Sequence, residues 1–366
     1  MTRMAFYGSS LVSSYWNGAA TYYRGLIRAL AAEGWDVTFH EPDVWDRQAH
    51  RDMDPPPWCR VNVYPGTSEG LECAASRAAA ADVVVVASGI GHEDDALRRA
   101  VLDRAHPAAT CIWWDVDAPA TLAELRAQPL HPLRRDLPRF DAVLTYGGGD
   151  PVVRGYREMG AALCVPIYNA LDPETHFPVD PDPRFEADLA FLGNRLPDRE
   201  ARVRSYFLDP AAAMPERCFL LGGSGWADVA LPANVRALGH VGTGDHNAFN
   251  ATPLAVLNIA RDSMAEVGFS PATRVFEAAG AGACLITDAW EGIDRFLAPG
   301  SEVLVARDGR DVIELLSGLT RDRARQIGRA ARARLLAGHT YAHRAREVGA
   351  LLAGLRDHKR HKEVLS

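Results

Sequence analysis

The sequence predicts an α/β protein of two domains, each built on a parallel sheet with helices on both faces. Three observations predict it. The chain has 366 residues, and a length of this order suits two domains of roughly 150–200 residues better than one core. Strand-like and helix-like runs alternate from the N-terminus, the pattern of a parallel sheet. A segment rich in Pro and acidic residues, NALDPETHFPVDPDPRFEAD, interrupts the alternation, which then restarts. Two such halves with a linker imply a cleft between them.

In the first half, MAFYG reads as a short apolar strand closed by Gly8. The polar loop SSLVSSYWNG follows, and AATYYRGLIRALAAEG has helical periodicity with Gly34 as its stop. DVTFH is the second strand, and the stretch from Pro42 to Pro65, rich in Pro and Trp, reads as irregular. ADVVVVAS is uninterrupted and apolar, as a strand buried on both faces is. EDDALRRAVLDRA is a helix with acidic residues in its first turn, as the helix dipole favours. TCIWWD, DAVLTY and ALCVPIY complete the strands. In such sheets ligands sit beyond the carboxyl ends of the strands, which singles out the loops after Ser9, Ser88, Trp114 and Tyr146.

In the second half DLAFLGN, CFLLGG, VRALGHV, AVLNIA, ACLITD and EVLVA are strands. DREARVRSYFL and PATRVFEAAGAG are helices between them, and DVIELLSGL, RDRARQIGRAARARLLAG and TYAHRAREVGALLAGL follow as a helical C-terminal region.

Composition narrows the function. A net charge of −7 argues against broad nucleic-acid binding. No run reaches the roughly 18–20 apolar residues of a membrane span. The first residues, MTRMAFYGSSLVSSYW, have no long apolar segment or cleavage site, so no signal peptide is expected. Six scattered cysteines lack metal-ligand spacing. Cys111, Cys164, Cys218 and Cys284 lie in or beside apolar runs and read as reduced, buried thiols of a cytoplasmic protein.

Three stretches carry chemistry. In FLGNRLPDREARVRSYF a strand ends at Leu192, Gly193 permits close backbone approach, and Arg195 and Arg199 stand at a helix start. That pattern suits a diphosphate, although both arginines can equally pair with Asp198 and Glu200. In LLGGSGWADVAL, Gly223 belongs to a turn able to pass under a ligand, without the spacing of a dinucleotide fingerprint. Trp226 can stack on a base or pack on the next strand. In SPATRVFEAAGAGACLITD, Ser270 reads as an N-cap and Pro271 as a first-turn residue. Arg274 and Glu277 share one helix face, where the alternative is an ordinary surface ion pair. The small residues after them are expected to let the helix lie close to the sheet and set Glu277 at its carboxyl edge.

These motifs resemble a known family. ADLAFLGN, AVLNIARDS, GFSPATRVFEAAGAGACLITD and FLAPGSEVLVARD, from about Asp188 to Leu316, are similar to the C-terminal domain of the CgeB-like (spore maturation protein) glycosyltransferases of the GT-B fold group. WWDVDAP, DAVLTYGGGDPVVRGYREMGA and VPIYNALDPETHF resemble the family's N-terminal domain and linker more weakly. The resemblance implies two Rossmann-like domains: residues 1–170 binding acceptor, residues 171–340 binding a nucleotide-sugar donor, and residues 341–366 returning to the first domain. It implies Glu277 as the carboxylate on the donor ribose and Arg195 or Arg199 as the cation on the pyrophosphate. Arg274 is a further donor-site candidate, and Val241 and Gly242 lie where the nucleobase would meet the backbone. Phe269 stands where many retaining enzymes of this fold carry a second glutamate, and Glu266 is out of register, so stereochemistry stays open.

Catalytic candidates come from the strand ends: His92 as a base of near-neutral reference pKa, and Asp117, which can instead cap the next helix. Gly18 at a helix start can approach the diphosphate, and Tyr15 and Trp16 can form an acceptor platform. The stretch from Pro42 to Trp58 can shape the acceptor pocket. No cofactor or metal is expected beyond the donor substrate, since arginines replace a metal in such folds; only Asp115 and Asp117 suggest otherwise. The readings that follow are a glycosyltransferase, a nucleotide-sugar epimerase on the same fold, or a non-catalytic sugar-nucleotide-binding protein in coat or polysaccharide assembly.

Overall fold

A computed structural model describes residues 1–15 and 17–365; Trp16 lies outside the described residues. The chain forms two compact units, Met1–Tyr168 together with Tyr341–Ser366, and Asn169–Thr340.

The first unit has seven strands: β1 (Arg3–Tyr7), β2 (Asp36–Asp43), β3 (Arg60–Pro65), β4 (Val83–Ala87), β5 (Thr110–Asp115), β6 (Ala142–Thr145) and β7 (Cys164–Pro166). Their order is β3-β2-β1-β4-β5-β6-β7, all parallel. Strand β4, all valine and alanine, is buried along its length, as a central strand covered on both faces must be. Strand β3 corrects the reading of Pro42–Pro65 as irregular. It pairs in parallel with β2 from Thr38↔Arg60 to Asp43↔Pro65. As an edge strand it is only partly buried, so its sequence RVNVYP lacks the apolar run that marks its neighbours. The helix Ser68–Ser76 is likewise poor in large apolar residues; it is fixed by Thr67, whose hydroxyl accepts from the Gly70 N–H at 3.1 Å.

The helix Tyr341–Leu365 packs against the helix Ala20–Ala32 of this unit. Gly25 makes the approach possible, since a Cβ there would overlap the Tyr341 ring. Beneath it, Tyr22 donates to the Ile167 carbonyl at 2.8 Å and accepts from the Trp114 indole N–H at 3.1 Å. Farther along, Lys359 pairs with Asp141 at 2.7 Å.

The second unit repeats the plan with β8 (Leu189–Leu192), β9 (Phe219–Gly222), β10 (Val235–Gly239), β11 (Ala255–Asn258), β12 (Leu285–Asp288) and β13 (Leu304–Ala306). The order β10-β9-β8-β11-β12-β13 is again all parallel. In both sheets the strand order reverses at one place, beside β1 and β4 in the first and β8 and β11 in the second. Ligands bind outside the carboxyl ends of the strands at such a switch point. The core of the second unit is built from Phe191, Phe207, Phe219, Leu257, Ile286 and their neighbours. Cys59, Cys111, Cys164 and Cys284 are buried free thiols, whereas Cys218 is exposed. That corrects its reading as a core residue: it precedes β9, and its N–H donates to the Asp188 carboxylate at 2.8 Å. No described helix is long and apolar enough to cross a membrane.

Replacing an interior helical Gly by Ala ordinarily stabilises a helix by about 1 kcal/mol. At Gly25 the sign reverses. Gly25→Ala is expected to lower the melting temperature, because overpacking costs about 1–3 kcal/mol; in a double-mutant cycle read by thermal melts, the same change costs less in a Tyr341→Ala background.

Candidate functional site

The switch point of the second unit is made by the turn after β8. The Gly193 N–H donates to the Gly222 carbonyl at 2.9 Å, and the Gly193 carbonyl accepts from the Trp226 indole at 2.8 Å. Gly223 has a φ of +116°, and a Cβ there would overlap the Gly193 carbonyl, so two loops lie backbone to backbone only because this residue is glycine. Trp226 is buried in the apolar core. It is a strut between these loops, the packing alternative that the sequence left open beside base stacking.

The two arginines of this turn have different fates. Arg195 is clamped by the Glu200 carboxylate, both contacts at 2.8 Å, and by Asp228 at 2.9 and 3.0 Å. It is the ion-paired alternative that the sequence allowed. Arg199 donates one Nη to the Asn194 carbonyl at 2.6 Å and lies over the Phe191 ring at 5.6 Å, while its buried Nε has no hydrogen-bond partner. Burial lowers its pKa from the ordinary guanidinium value, and Arg261 and Arg274 nearby lower it further, opposed by Asp198 and Asp288. Arg261 is tied to Asp198 at 2.5 Å.

Arg274 adds to this group. Its Nη1 lies 3.4 Å from the Asn250 Oδ1 and 3.4 Å from Glu277. Its Nε and the Nδ2 of the fully buried Asn250 have no hydrogen-bond partner. Buried donors of this kind are costly unless an acceptor meets them. Three of them, Arg199 Nε, Arg274 Nε and Asn250 Nδ2, therefore favour an anionic or hydroxyl-rich ligand.

Glu277 sits buried on the helix Thr273–Gly280. Burial would raise its carboxyl pKa, but Arg274, then His176 and His246, outweigh it, and the net direction is down. The helix begins later than the sequence suggests. Ala272 is its N-cap; the Ser270 hydroxyl donates instead to the Gly268 carbonyl at 3.0 Å, and the Pro271 carbonyl accepts from Asn169 at 3.1 Å. The small residues also serve differently. A Cβ on Gly280 would overlap Leu171, and one on Gly328 would overlap the Gly282 carbonyl. They admit the linker and the helix Arg321–Gly338 rather than only the sheet. Phe269 has a φ of +47° and lies under the Arg295 guanidinium at 4.6 Å. Glu266 is exposed on a separate short helix.

Val241 is buried against Leu192, Leu220 and Phe249, and its carbonyl accepts from the His246 Nε2 at 3.3 Å. Gly242 is exposed, and its carbonyl accepts from the Asp245 N–H at 2.9 Å. Burial, then Arg274, lowers the His246 pKa from its ordinary value. His176 and His246 each place one ring nitrogen within 4.8 Å of the other's and of a Glu277 oxygen. The sequence reading named neither histidine, because they are far apart in the chain and no local motif joins them.

In the first unit, Asp117 and His92 follow adjacent strands. Asp117 occupies the N-cap position of the helix Ala118–Ala127 without a side-chain capping bond. It lines a cavity of about 620 Å³ with Ser88, Asp94, Trp113, Glu124 and His131. His92 lies in a turn whose N–H groups, from Ile90 to His92, donate to the Asp94 carboxylate. Gly18 is exposed, and a Cβ there would meet nothing within 4 Å. Tyr15 is stacked on His50 at 4.0 Å. Asp115, half of the Asp115–Asp117 pair, is fully buried and accepts from Ser88, Thr121, Tyr156 and the Asp117 N–H. With its oxygens so engaged it holds the loop.

The sequence reading missed the residues that fix the loop after β1. Buried Glu41 accepts from the Ser10 hydroxyl at 2.9 Å, the Leu11 N–H at 2.6 Å and Gln48 at 2.7 Å. Buried Arg47 donates to the carbonyls of Ser9 at 3.1 Å and Ile90 at 3.0 Å, and the Trp45 indole donates to Gly91 at 3.0 Å. The segment after β2 thus braces the loops beyond β1 and β4.

Residues 199–350 match the glycosyl transferase-like family. Solved structures similar in fold include sucrose-phosphate synthase from Thermosynechococcus elongatus, at 15% identity and a TM-score of 0.69 over 97% of this chain and 99% of that one. HepE of Anabaena, solved in complex with UDP and glucose, is 12% identical with a TM-score of 0.67 over 97% of this chain and 100% of that one. AviGT4, a glycosyltransferase involved in avilamycin A biosynthesis, is 16% identical with a TM-score of 0.59 over 98% of each chain. The chain carries a glycosyl transferase-like domain on the GT-B fold. No curated protein matches the sequence.

The similarity thus covers the glycosyl transferase-like segment at residues 199–350 and, over nearly the whole chain, the GT-B fold. The different engagement of the two turn arginines makes a diphosphate role for either one separable by titration. Arg199→Met is expected to weaken diphosphate binding by roughly ten-fold or more, the value of a charge-assisted hydrogen bond. Arg195→Met, whose guanidinium already serves two carboxylates, changes affinity by less than about three-fold, within the range of an exposed ion pair. Calorimetric titration with a nucleoside diphosphate checks both.

Proposed function

We propose that this protein is a CgeB-like glycosyltransferase that moves a sugar from a uridine diphosphate sugar to an acceptor hydroxyl. The observation that carries the donor side is the grouping of three unpartnered buried donors, on Arg199, Arg274 and Asn250, beside a buried carboxylate with a lowered pKa. On this reading Glu277 accepts from the ribose hydroxyls, and Arg199 and Arg274 face the diphosphate. Backbone groups near Val241 and Gly242 meet the base. Uridine is favoured because HepE, of the same fold, was solved with UDP. The leaving diphosphate is stabilised by guanidinium groups aimed at its developing charge, so the reaction needs no metal or cofactor.

The acceptor is assigned to the carboxyl-edge loops of the first unit. Asp117 lines the 620 Å³ cavity there, and His92 lies on the neighbouring loop; both are the candidates for the base that inverting chemistry requires. The protein works in the cytoplasm on small molecules or polysaccharide, without nucleic acid, as its net charge of −7 suits.

Ligand-induced stabilisation tests the donor reading. A nucleotide at a hundred times its Kd adds about 2.7 kcal/mol, which raises the melting temperature by several degrees. UDP is expected to give the largest rise, GDP and dTDP less, and no rise with any nucleotide overturns the proposal. Release of UDP from UDP-sugars follows the reaction, and unchanged hydrolysis in Glu277→Ala removes that residue from the donor site.

A further inference from the structure

We propose that His176, His246 and Glu277 form a binding site for one divalent transition-metal ion of the zinc class. One ring nitrogen from each histidine and one oxygen of Glu277 lie within 4.8 Å of one another. Two neutral imidazoles and a carboxylate are a donor set that suits zinc-like ions, whereas magnesium and calcium prefer oxygen alone. Three protein ligands leave the fourth position of a tetrahedron open.

A hydrogen bond sets which nitrogen of His246 carries the lone pair, and a hydroxyl faces one nitrogen of His176. His246 Nε2 lies 3.3 Å from the Val241 carbonyl, which can only accept, so Nε2 holds the proton and Nδ1 the lone pair. The Thr175 hydroxyl donates to the Asp172 carbonyl at 3.3 Å. The same Oγ1 lies 2.9 Å from His176 Nδ1, and in the tautomer whose Nδ1–H donates to it the lone pair falls on Nε2. A ligating histidine ordinarily has its second nitrogen held in this way.

The two histidine segments are also joined. The Asn247 side chain donates to the Thr175 carbonyl at 2.9 Å and accepts from the Phe177 N–H at 3.3 Å. The turn bearing His176 is thereby fastened to the helix His246–Ala251 before any ion arrives. In a tetrahedron with bonds of about 2.0–2.1 Å the ligand atoms stand roughly 3.4 Å apart, so closure needs side-chain rotation of about an ångström. Arg274, 3.4 Å from Glu277, opposes the ion. It has a second acceptor in Asn250 at 3.4 Å, toward which it turns when the metal takes the carboxylate.

The ion and the donor ribose then claim the same carboxylate, so zinc competes with nucleotide; this clause, unlike the site itself, rests on the donor reading of Glu277. The test uses the full chain stripped with chelator and titrated with zinc and with magnesium in a calorimeter. Zinc is expected to bind at one ion per chain and magnesium not at all, and cobalt(II) to give the visible absorption of a tetrahedral site. His246→Gln, which keeps a donor for Val241, and His176→Ala each weaken zinc at least ten-fold while their metal-free melting temperatures stay near that of the parent. No stoichiometric zinc binding, or binding that neither variant weakens, overturns the site. Zinc is further expected to raise the apparent Kd for UDP. An unchanged Kd in the presence of bound zinc overturns the competition, and absence of UDP binding refutes the donor reading while the zinc titration still decides the site.

Discussion

Glu277 bears a charge that burial by itself would suppress. Taking a carboxylate out of water is expensive, and an isolated one neutralises rather than stays ionised. Here Arg274 one helical turn away, with His176 and His246, holds its pKa below the ordinary value. Much else in the second unit serves that arrangement. Gly280 lets the linker bring His176 near. Val241 orients His246, and Asn250 supports Arg274. An ionised carboxylate beside buried, unpartnered guanidinium and amide donors is a pair of opposite demands. On the proposed donor reading, a sugar nucleotide, with hydroxyls at one end of its ribose and a diphosphate at the other, meets both.

The sheet order supplies the place for this chemistry. In each unit the strands reverse direction of succession at one point, and the turn after the first strand of the unit opens there. In the second unit that turn is made stiff by Gly223, by Trp226 under Gly193 and by the carboxylate clamp on Arg195. Stiffness matters for transfer chemistry, because preorganised donors cost no rearrangement when charge develops on the leaving group. In the first unit the equivalent loops are held by Glu41, Arg47 and Asp115, each buried and hydrogen-bonded.

The plan of the fold was legible in the sequence because central parallel strands are continuous apolar runs, as VVVVA and FLLG show. Strand β3 was not, since an edge strand is half wet and its sequence alternates weakly. Arg274 and Glu277 could be placed on one face from helical spacing alone. Which of Arg195 and Arg199 is engaged by carboxylates could not, because Asp228 meets Arg195 only after the chain has folded. Trp226 was equally open, as an aromatic after a strand reads alike whether it packs or stacks. The histidines beside Glu277 carry no local signal at all; the linker and the helix that bear them meet only in three dimensions.

The central claim, that Glu277 accepts from the ribose hydroxyls of the donor, is tested most directly by comparing UDP with 2′,3′-dideoxy-UDP in calorimetric titrations of the parent chain and Glu277→Ala. The parent is expected to bind the dideoxy compound at least about ten-fold more weakly, the value of hydrogen bonds to a charged acceptor, and the variant is expected to bind the two compounds alike. The same preference for UDP in both proteins would contradict the account.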